Sequence, residues 1–185
     1  NTMNYQKKAN TLKNGKTCVI RQAEEADAEA LVEYLKAISA ETRNVSREPE
    51  EVRTSVEEEA EFIRKNREND RALMLLAFVD GRLAGNASFH AVLDRIRVRH
   101  RCGMGISVYQ EFWGMGIGTA LMGELLRCAG DAGFEQMELE VVSANEAAVG
   151  LYRKFGFEAT GTVPHAFRYQ DGTYADFLFM VKRLV

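Results

Sequence analysis

The chain has 185 residues, of which 46% are hydrophobic and 28% are charged, and its formal net charge is −3 at pH 7. This composition is typical of one globular domain with a substantial core. The acidic balance excludes broad nucleic-acid binding, which depends on neutralising phosphates with basic residues. No run of about eighteen apolar residues is present, so no membrane span is predicted. Because residues 1–8 also contain no hydrophobic signal core, we expect a cytoplasmic protein.

The residue types that most often bind metals are scattered along the chain. The cysteines are odd in number and form no CxxC pair, and the histidines have no HxH or HExxH spacing. We therefore predict neither a disulfide framework nor a metal site. The residues concerned are Cys18, Cys102, Cys128, His90, His100 and His165.

The pattern of the first third of the chain predicts a polar N-terminal segment, a strand and two helices. Residues 1–16 are polar and predict a flexible segment or a short edge strand, and we place a single domain over residues 17–185. Residues 17–21 read as a strand, and the apolar residues from Ala30 to Ile38 recur at helical spacing. A second helix over residues 55–67 is rich in glutamates. These form either a solvated helix face or an acidic rim that attracts a cationic amine.

From residue 72 the apolar pattern becomes that of strands. Residues 72–79 and 82–92 predict a hairpin around Asp80-Gly81. Arg97, Arg99 and Arg101 alternate with Ile96, Val98 and His100 and predict one basic face. This face is either a solvent-facing strand or loop, or a surface that contacts the substrate or a cofactor phosphate. Further strands are predicted at 104–109 and 136–142 and as a pair around Asp171-Gly172, with helices at 117–129 and 145–155. Together these elements predict an α+β fold with a mixed sheet of about seven strands and about four helices.

A glycine-rich turn joins the strand ending at Tyr109 to the helix beginning at Ile117. It contains Gly114, Gly116 and Gly118, which allow positive φ angles and a close approach of the backbone to a ligand. The free N–H groups at the start of the following helix form an anion site, so a phosphate-binding turn and a purely structural turn are the two interpretations. A dinucleotide fingerprint is disfavoured because Thr119 stands where its third glycine belongs, and no Walker A lysine follows.

Two segments resemble the Gcn5-related N-acetyltransferase (GNAT) superfamily. The run from Trp113 to Gly118 matches both glycines of the motif Q/R-x-x-G-x-G/A, with Trp113 in place of Gln or Arg. Residues 139–157 resemble the second signature, L-E-V-x-x-x-N-x-x-A-x-x-L-Y-x-x-x-G-F. The match is to the superfamily, and its motifs are most similar to those of bacterial ribosomal-protein and small-molecule N-acetyltransferases. It implies a GNAT-like fold with a central, largely antiparallel mixed sheet, and acetyl-CoA as the co-substrate.

The resemblance also implies a set of cofactor-binding residues. A splayed strand would offer its backbone to the pantetheine arm, the glycine turn would hold the pyrophosphate through its main chain, and the asparagine of the second signature would contact the arm. That asparagine could instead be only a helix cap. The residues implied are Ser107, Val108, Tyr109, Gly114, Met115, Gly116, Ile117, Gly118, Thr119, Ala120 and Asn145.

Two further residues have implied catalytic roles. Glu138 and Glu140 lie on one face of the strand over 136–142. Glu140 resembles the general base of bacterial ribosomal-protein N-terminal acetyltransferases and acts directly or through a water, whereas Glu138 is interpreted as an ordinary exposed residue. Tyr152 resembles the family's general acid, which protonates the departing thiolate, and its alternative is a core aromatic. Gly103 stands where many relatives carry an acid, which favours Glu140 as the base.

We therefore predict an acetyl-CoA-dependent N-acetyltransferase that acts on a primary amine of a small molecule or a peptide N-terminus. The alternative within the same fold is a non-catalytic acyl-CoA sensor or assembly module, and a dinucleotide oxidoreductase is disfavoured by the glycine spacing. A homodimer through the C-terminal strands is compatible with the implied fold by analogy alone.

Overall fold

The computed structural model describes residues 3–185; residues 1 and 2 of the predicted segment 1–16 lie outside the described residues. One eight-stranded sheet has the order β1-β2-β3-β4-β5-β6-β8-β7. All neighbouring strands are antiparallel except β5 and β6, which are parallel. The strands are β1 (Lys8–Thr11), β2 (Thr17–Gln22), β3 (Ala72–Val79), β4 (Arg82–Ala91), β5 (Arg101–Val108), β6 (Gln136–Val142), β7 (Glu158–Arg168) and β8 (Tyr174–Arg183). The predicted α+β class and largely antiparallel sheet are confirmed. The strand count exceeds the predicted seven because residues 8–11 pair with β2.

Four α-helices flank the sheet: α1 (Ala28–Glu41), α2 (Val56–Glu68), α3 (Ile117–Asp131) and α4 (Glu146–Lys154). Leu31, Tyr34 and Ile38 form the buried stripe of α1, as the helical spacing predicts. A capping box begins α2, because the Ser55 hydroxyl accepts the Glu58 N–H at 3.1 Å while the Glu58 carboxylate accepts the Ser55 N–H at 2.9 Å. These local signals explain why both helices begin where they do.

The sheet separates two hydrophobic cores. Alternation along β3 places Leu73 and Leu75 on the face covered by α3 and α4, and Met74 and Leu76 on the face covered by α1 and α2. Because β3 is central and apolar on both faces, its sequence has no polar alternation. Every residue of the site can therefore be assigned to one of these two sides, called here the α3 face and the α1 face.

The predicted basic face around residues 97–101 is not a strand face. Residues 95–100 form turns, in which the Arg99 N–H bonds the Arg95 carbonyl at 2.8 Å, and β5 begins only at Arg101. The alternation of Arg97, Arg99 and Arg101 therefore did not describe one surface. The alternating sequence occurs here in consecutive hydrogen-bonded turns, and turns do not place alternate side chains on one face as a strand does.

The glutamates of α2 are mostly engaged locally. Glu58 closes the capping box, and Glu61 receives two hydrogen bonds from Arg64, at 2.8 and 2.7 Å. Glu59 is buried, and burial raises the pKa of its carboxyl while Arg47 opposes the rise. These contacts agree with the interpretation of a helix face with local ion pairs rather than of an acidic rim.

Within residues 3–185, none of the helices is both long and apolar enough to cross a membrane. Cys18, Cys102 and Cys128 are free thiols and all three are buried. No cluster of three or more histidine, cysteine or acidic side chains in the described part of the chain is arranged to hold a metal ion.

Candidate active site

A gap opens between the two parallel strands in the middle of the sheet. β5 and β6 pair only from Arg101 with Gln136 to Gly103 with Glu138. Beyond that point β5 stays paired with β4 as far as Val108, whereas β6 stays paired with β8. The two strands therefore diverge, and each keeps an unpaired edge toward the gap.

The first edge of the gap consists of main-chain groups of β5. The Tyr109 N–H donates to the Ala84 carbonyl at 2.9 Å, which fixes the phase of the β4–β5 ladder. Backbone groups in an antiparallel strand alternate between its two neighbours. Those of Met104, Ile106 and Val108 therefore face the gap.

The opposite edge consists of main-chain groups of β6. Here the Ser143 N–H donates to the Asp176 carbonyl at 2.9 Å, which sets the phase of the β6–β8 ladder. By the same alternation, the backbone groups of Glu140 and the Val142 N–H face the gap, whereas the Val142 carbonyl accepts the Asn145 N–H at 2.9 Å. An extended chain placed in the gap would meet donors and acceptors on both sides.

Ser107 and Tyr109 contribute differently from the sequence prediction of backbone contacts. Their main-chain groups belong to the ladder with β4, so Val108 alone of the predicted three offers its N–H to the gap. Their side chains contact Tyr34 of α1, whose hydroxyl lies 2.7 Å from the Ser107 hydroxyl and whose ring meets the Tyr109 ring at 4.6 Å between centroids. Burial raises the pKa of Tyr34 well above its usual value, so this phenol stays protonated. This contact was not predictable from the sequence, because Tyr34 matched only the apolar stripe of α1.

The glycine turn forms a set of free N–H groups at the start of α3. Gly114 and Gly116 have φ angles of 76° and 94°, which favour glycine strongly. The first turn of α3 contains no acidic residue, and the N–H groups of Ile117, Gly118 and Thr119 precede the first intrahelical bond. That bond runs from the Ala120 N–H to the Gly116 carbonyl at 3.0 Å, so Ala120 is not free to bind a ligand through its N–H. The turn is suited to an anion.

Gly118 and Trp113 have packing roles at this turn. A Cβ on Gly118 would lie 3.4 Å from the Leu151 Cδ2 atom, so this glycine lets α3 and α4 approach closely. The Trp113 indole N–H donates to the Val108 carbonyl at 2.8 Å. Trp113 thereby closes the loop between β5 and α3 and occupies the one acceptor that Val108 would present to the gap.

Glu138 and Glu140 lie on the α1 face of β6, because Met137, Leu139 and Val141 pack into the core on the α3 face. Glu138 accepts hydrogen bonds from Arg101 and from the Gln136 amide, and the Arg101 hydrogen bond holds the pKa of its carboxyl below the usual range. Among the described residues, Glu140 has no hydrogen bond or ion pair through its side chain, and this side chain is exposed. Of the two carboxylates, Glu140 is the one available to a substrate.

Tyr152 lies on the other side of the sheet. It is 6% exposed and packs in the core of the α3 face, with its ring 5.8 Å from that of Phe157. Within residues 3–185 its hydroxyl makes no hydrogen bond. Burial raises the pKa of Tyr152 to about 12, so the phenol is protonated at neutral pH.

The sequence profile of the acetyltransferase (GNAT) family matches residues 30–157, which include both the glycine turn and the segment that contains Glu140 and Tyr152. The chain belongs to the GNAT family. Acetyl-CoA is the co-substrate of this family, so the predicted family and coenzyme are confirmed. The prediction of an acyltransferase is confirmed at the level of the family.

Similar proteins support this assignment. The chain is 31% identical over 109 residues to the L-amino acid N-acetyltransferase AaaT of Escherichia coli K12, covering 58% of this chain and 66% of that protein. A GNAT-family acetyltransferase structure from Streptococcus pneumoniae superposes with a TM-score of 0.86 at 33% identity, covering 90% of this chain and 99% of the other. A phosphinothricin acetyltransferase from Sinorhizobium meliloti, solved in complex with acetyl-CoA, shares the fold with a TM-score of 0.79 at 24% identity, covering 94% and 89%. The chain thus spans 66% of the length of its E. coli relative.

Asn145 is the N-cap of α4 in this GNAT protein. Its side-chain oxygen accepts the Ala148 N–H at 3.3 Å, as a capping residue does. The nearby Ser143 donates its hydroxyl to the Asp176 carbonyl at 3.1 Å. The Asn145 amide nitrogen has no hydrogen-bond partner in the described part of the chain.

Proposed function

We propose that this protein transfers the acetyl group of acetyl-CoA to a primary amine by direct attack, with Glu140 as the general base and Tyr152 as the general acid. The observation that supports this most strongly is their placement. Glu140 lies on β6 beside the gap and on the α1 face, whereas Tyr152 lies on the α3 face, in the same core as Ile117 at the start of α3. An acid on the coenzyme side and a base on the acceptor side is the arrangement that the reaction needs.

On the coenzyme side, we assign the pyrophosphate to the free N–H groups from Gly114 to Thr119. The pantetheine arm then extends from the turn into the gap and bonds the exposed main-chain groups of Ile106 and Val108. The Asn145 amide nitrogen lies at the end of β6 and is a further donor to the arm. The thioester is thereby held where the two strands begin to diverge.

On the acceptor side, an alkylammonium group must first lose a proton, because only the neutral amine is a nucleophile. Glu140 accepts that proton directly or through a water. The amine nitrogen then bonds the thioester carbonyl carbon, the C–S bond breaks, and the sulfur leaves with its electron pair. The Tyr152 hydroxyl protonates the sulfur, and the second proton released by the attacking nitrogen restores the Tyr152 phenol through the solvent. The products are an N-acetyl amine and free coenzyme A.

We propose an amino acid as the acceptor class. Phe179, 38% exposed, is the cross-strand neighbour of Glu140, and Phe177 follows on the same face. The Phe177 ring contacts Phe167 at 4.4 Å between centroids. Phe167 lines a cavity of about 850 Å³ between the α1–α2 loop and the β7–β8 hairpin, whose rim includes Arg168. The row formed by Phe179, Phe177 and Phe167 fits the apolar side chain of an amino-acid substrate beside its reacting amine. Arg168 would then face the carboxylate of that amino acid.

The test is a screen of acceptors with acetyl-CoA, in which release of the free thiol is measured. The acceptors are free L-amino acids, the same amino acids as methyl esters, short peptides and polyamines. We expect turnover with apolar L-amino acids and less with their esters, which lack the carboxylate. Preference for peptides or polyamines would contradict the acceptor class, and coenzyme A binding without any turnover would identify a non-catalytic sensor instead.

We also propose that the reaction takes place in the cytoplasm, since three free buried thiols are typical of a reducing compartment. The homodimer stays a prediction. β7, the outer strand of the sheet, contains Pro164 and a register shift between Val163 and Phe167, and both hinder pairing with a further strand. We therefore infer that a dimer does not form by continuing the sheet through β7.

A further inference from the structure

The turn between β1 and β2 packs against the glycine turn of the coenzyme site. The Lys13 N–H donates to the Met115 carbonyl at 3.2 Å, and the Asn14 amide donates to the Met115 sulfur at 3.5 Å. The N-terminal segment is also fixed along α3, because Glu124 accepts hydrogen bonds from the Tyr5 hydroxyl at 3.0 Å and from the Lys8 ammonium at 2.9 Å. The β1–β2 turn is thus held beside the start of α3.

The Lys13 side chain lies along Gly116. Its Cγ and Cε atoms are both 3.9 Å from the point that a Cβ on Gly116 would occupy. These are van der Waals distances, so the aliphatic part of Lys13 runs directly across the turn at this point. The ammonium group, one bond beyond Cε, therefore lies next to the N-cap of α3.

No anion neutralises this ammonium group within residues 3–185, where the Lys13 side chain has neither an ion pair nor a hydrogen bond. Lys16 of the same turn differs, because its ammonium lies 2.8 Å from an Asp80 carboxylate oxygen. The adjacent first turn of α3 has no acidic residue. An uncompensated cation beside a row of free N–H groups favours a bound anion.

We propose that Lys13 binds the pyrophosphate of acetyl-CoA, so that the N-terminal hairpin supplies a cationic side chain to a site otherwise made of main-chain groups. This assignment rests on the proposed use of the coenzyme. Lys13 is a coenzyme-binding residue and does not take part in the transfer itself. The glycine turn contains no lysine, so Lys13 adds the positively charged hydrogen-bond donor that this turn lacks.

Calorimetric titration with coenzyme A compares the wild type with K13Q, K13R and K16Q. We expect K13Q to weaken binding about tenfold, the loss of one charge-assisted hydrogen bond. K13R keeps the charge and should bind within about twofold of the wild type, and K16Q, whose lysine is paired with Asp80, should bind unchanged. Matching thermal midpoints establish that the variants are folded, since both lysines are exposed.

The same titration with dephospho-coenzyme A, which lacks the 3′-phosphate, identifies the phosphate involved. An equal loss of affinity in K13Q supports the pyrophosphate. Wild-type affinity in K13Q overturns the proposal, and so does a loss that disappears with dephospho-coenzyme A. A wild type that binds coenzyme A but acetylates no acceptor would contradict the proposed reaction while leaving this contact intact, so the two failures are distinguishable.

Discussion

Glu140 and Glu138 are a matched pair of residues for testing the general base. They lie two positions apart on one face of β6, but Glu138 is bound by Arg101, whereas the Glu140 carboxylate is exposed and has no partner among residues 3–185. We expect E140Q to lower kcat/KM by about 10² to 10³, the usual contribution of general-base catalysis, and to leave coenzyme A affinity unchanged. E138Q should lower it less than about fivefold. Unchanged kcat/KM in E140Q between pH 6 and 9 would exclude the assignment.

The proposed role of Tyr152 predicts both the pH dependence of kcat and the effect of removing its hydroxyl. Burial disfavours the phenolate, so its pKa is raised to about 12 and the proton remains bound throughout the usual assay range. The wild type should therefore show no alkaline loss of kcat from Tyr152 below about pH 11. We expect Y152F to lower kcat by about 10² to 10³ at every pH tested. If Y152F retains wild-type kcat while its unfolding temperature is unchanged, Tyr152 is a packing residue only.

The glycine turn depends on a left-handed backbone conformation at Gly116. A Cβ at φ 94° costs about 1 kcal/mol or more and distorts the N–H groups that we assign to the pyrophosphate. G116A should therefore weaken coenzyme A binding about tenfold. G123A is the control: Gly123 lies within the same helix with nothing within 4 Å of an added Cβ, and alanine there should raise stability. Equal coenzyme affinity in both variants would contradict the role of the turn.

The junction of β5 and β6 depends on the ion pair of Arg101 with Glu138. Arg101 holds the pKa of Glu138 below its usual value, so the carboxylate contributes stability above about pH 4, and this contribution is lost as the pH falls through the depressed pKa. R101Q should thus be less stable than the wild type at pH 7 in urea. The difference in stability between R101Q and the wild type should shrink as the pH falls below about 4. Glu138 is protonated there first in the unfolded chain and then, at lower pH, in the folded protein. A difference that is the same at pH 7 and pH 3 would mean that Arg101 acts by packing alone.

Most elements of this fold were predictable because their signals are local. The helical spacing in α1, the Ser55–Glu58 capping box and the Asp80-Gly81 turn each specify a structure within a few residues. The alternation of Arg97 and Arg99 is equally local, but it was misleading because no strand partner was available to residues 95–100. The packing of Lys13 on Gly116 was not predictable, because it joins residues about one hundred positions apart that carry no shared motif.

The position of Glu140 depends on the register between β6 and β8. The sequence indicated Glu140 and Tyr152 as candidates through a family resemblance, but not that they lie on opposite faces of the sheet. That separation follows from pairing Leu139 with Met180 and Glu140 with Phe179. A shift of one residue would exchange the buried and exposed faces of β6 and place the glutamate in the core. The hydrophobic alternation of β6 therefore determines on which face of the sheet Glu140 lies.

The outer edge of the sheet limits how the molecule can associate. Between Val163 and Phe167 of β7, residues 164–166 are skipped in the backbone ladder with β8, and the His165 N–H donates to the Asp176 side chain instead. His165 has a φ of 50°, and Pro164 has no N–H to donate. Replacing Pro164 with threonine restores a donor and a residue that favours strands, so we expect P164T to self-associate at concentrations where the wild type does not. Sedimentation velocity measures this, with T162V on the same strand as the control. If P164T and the wild type sediment alike at every concentration, the proline is not what protects this edge.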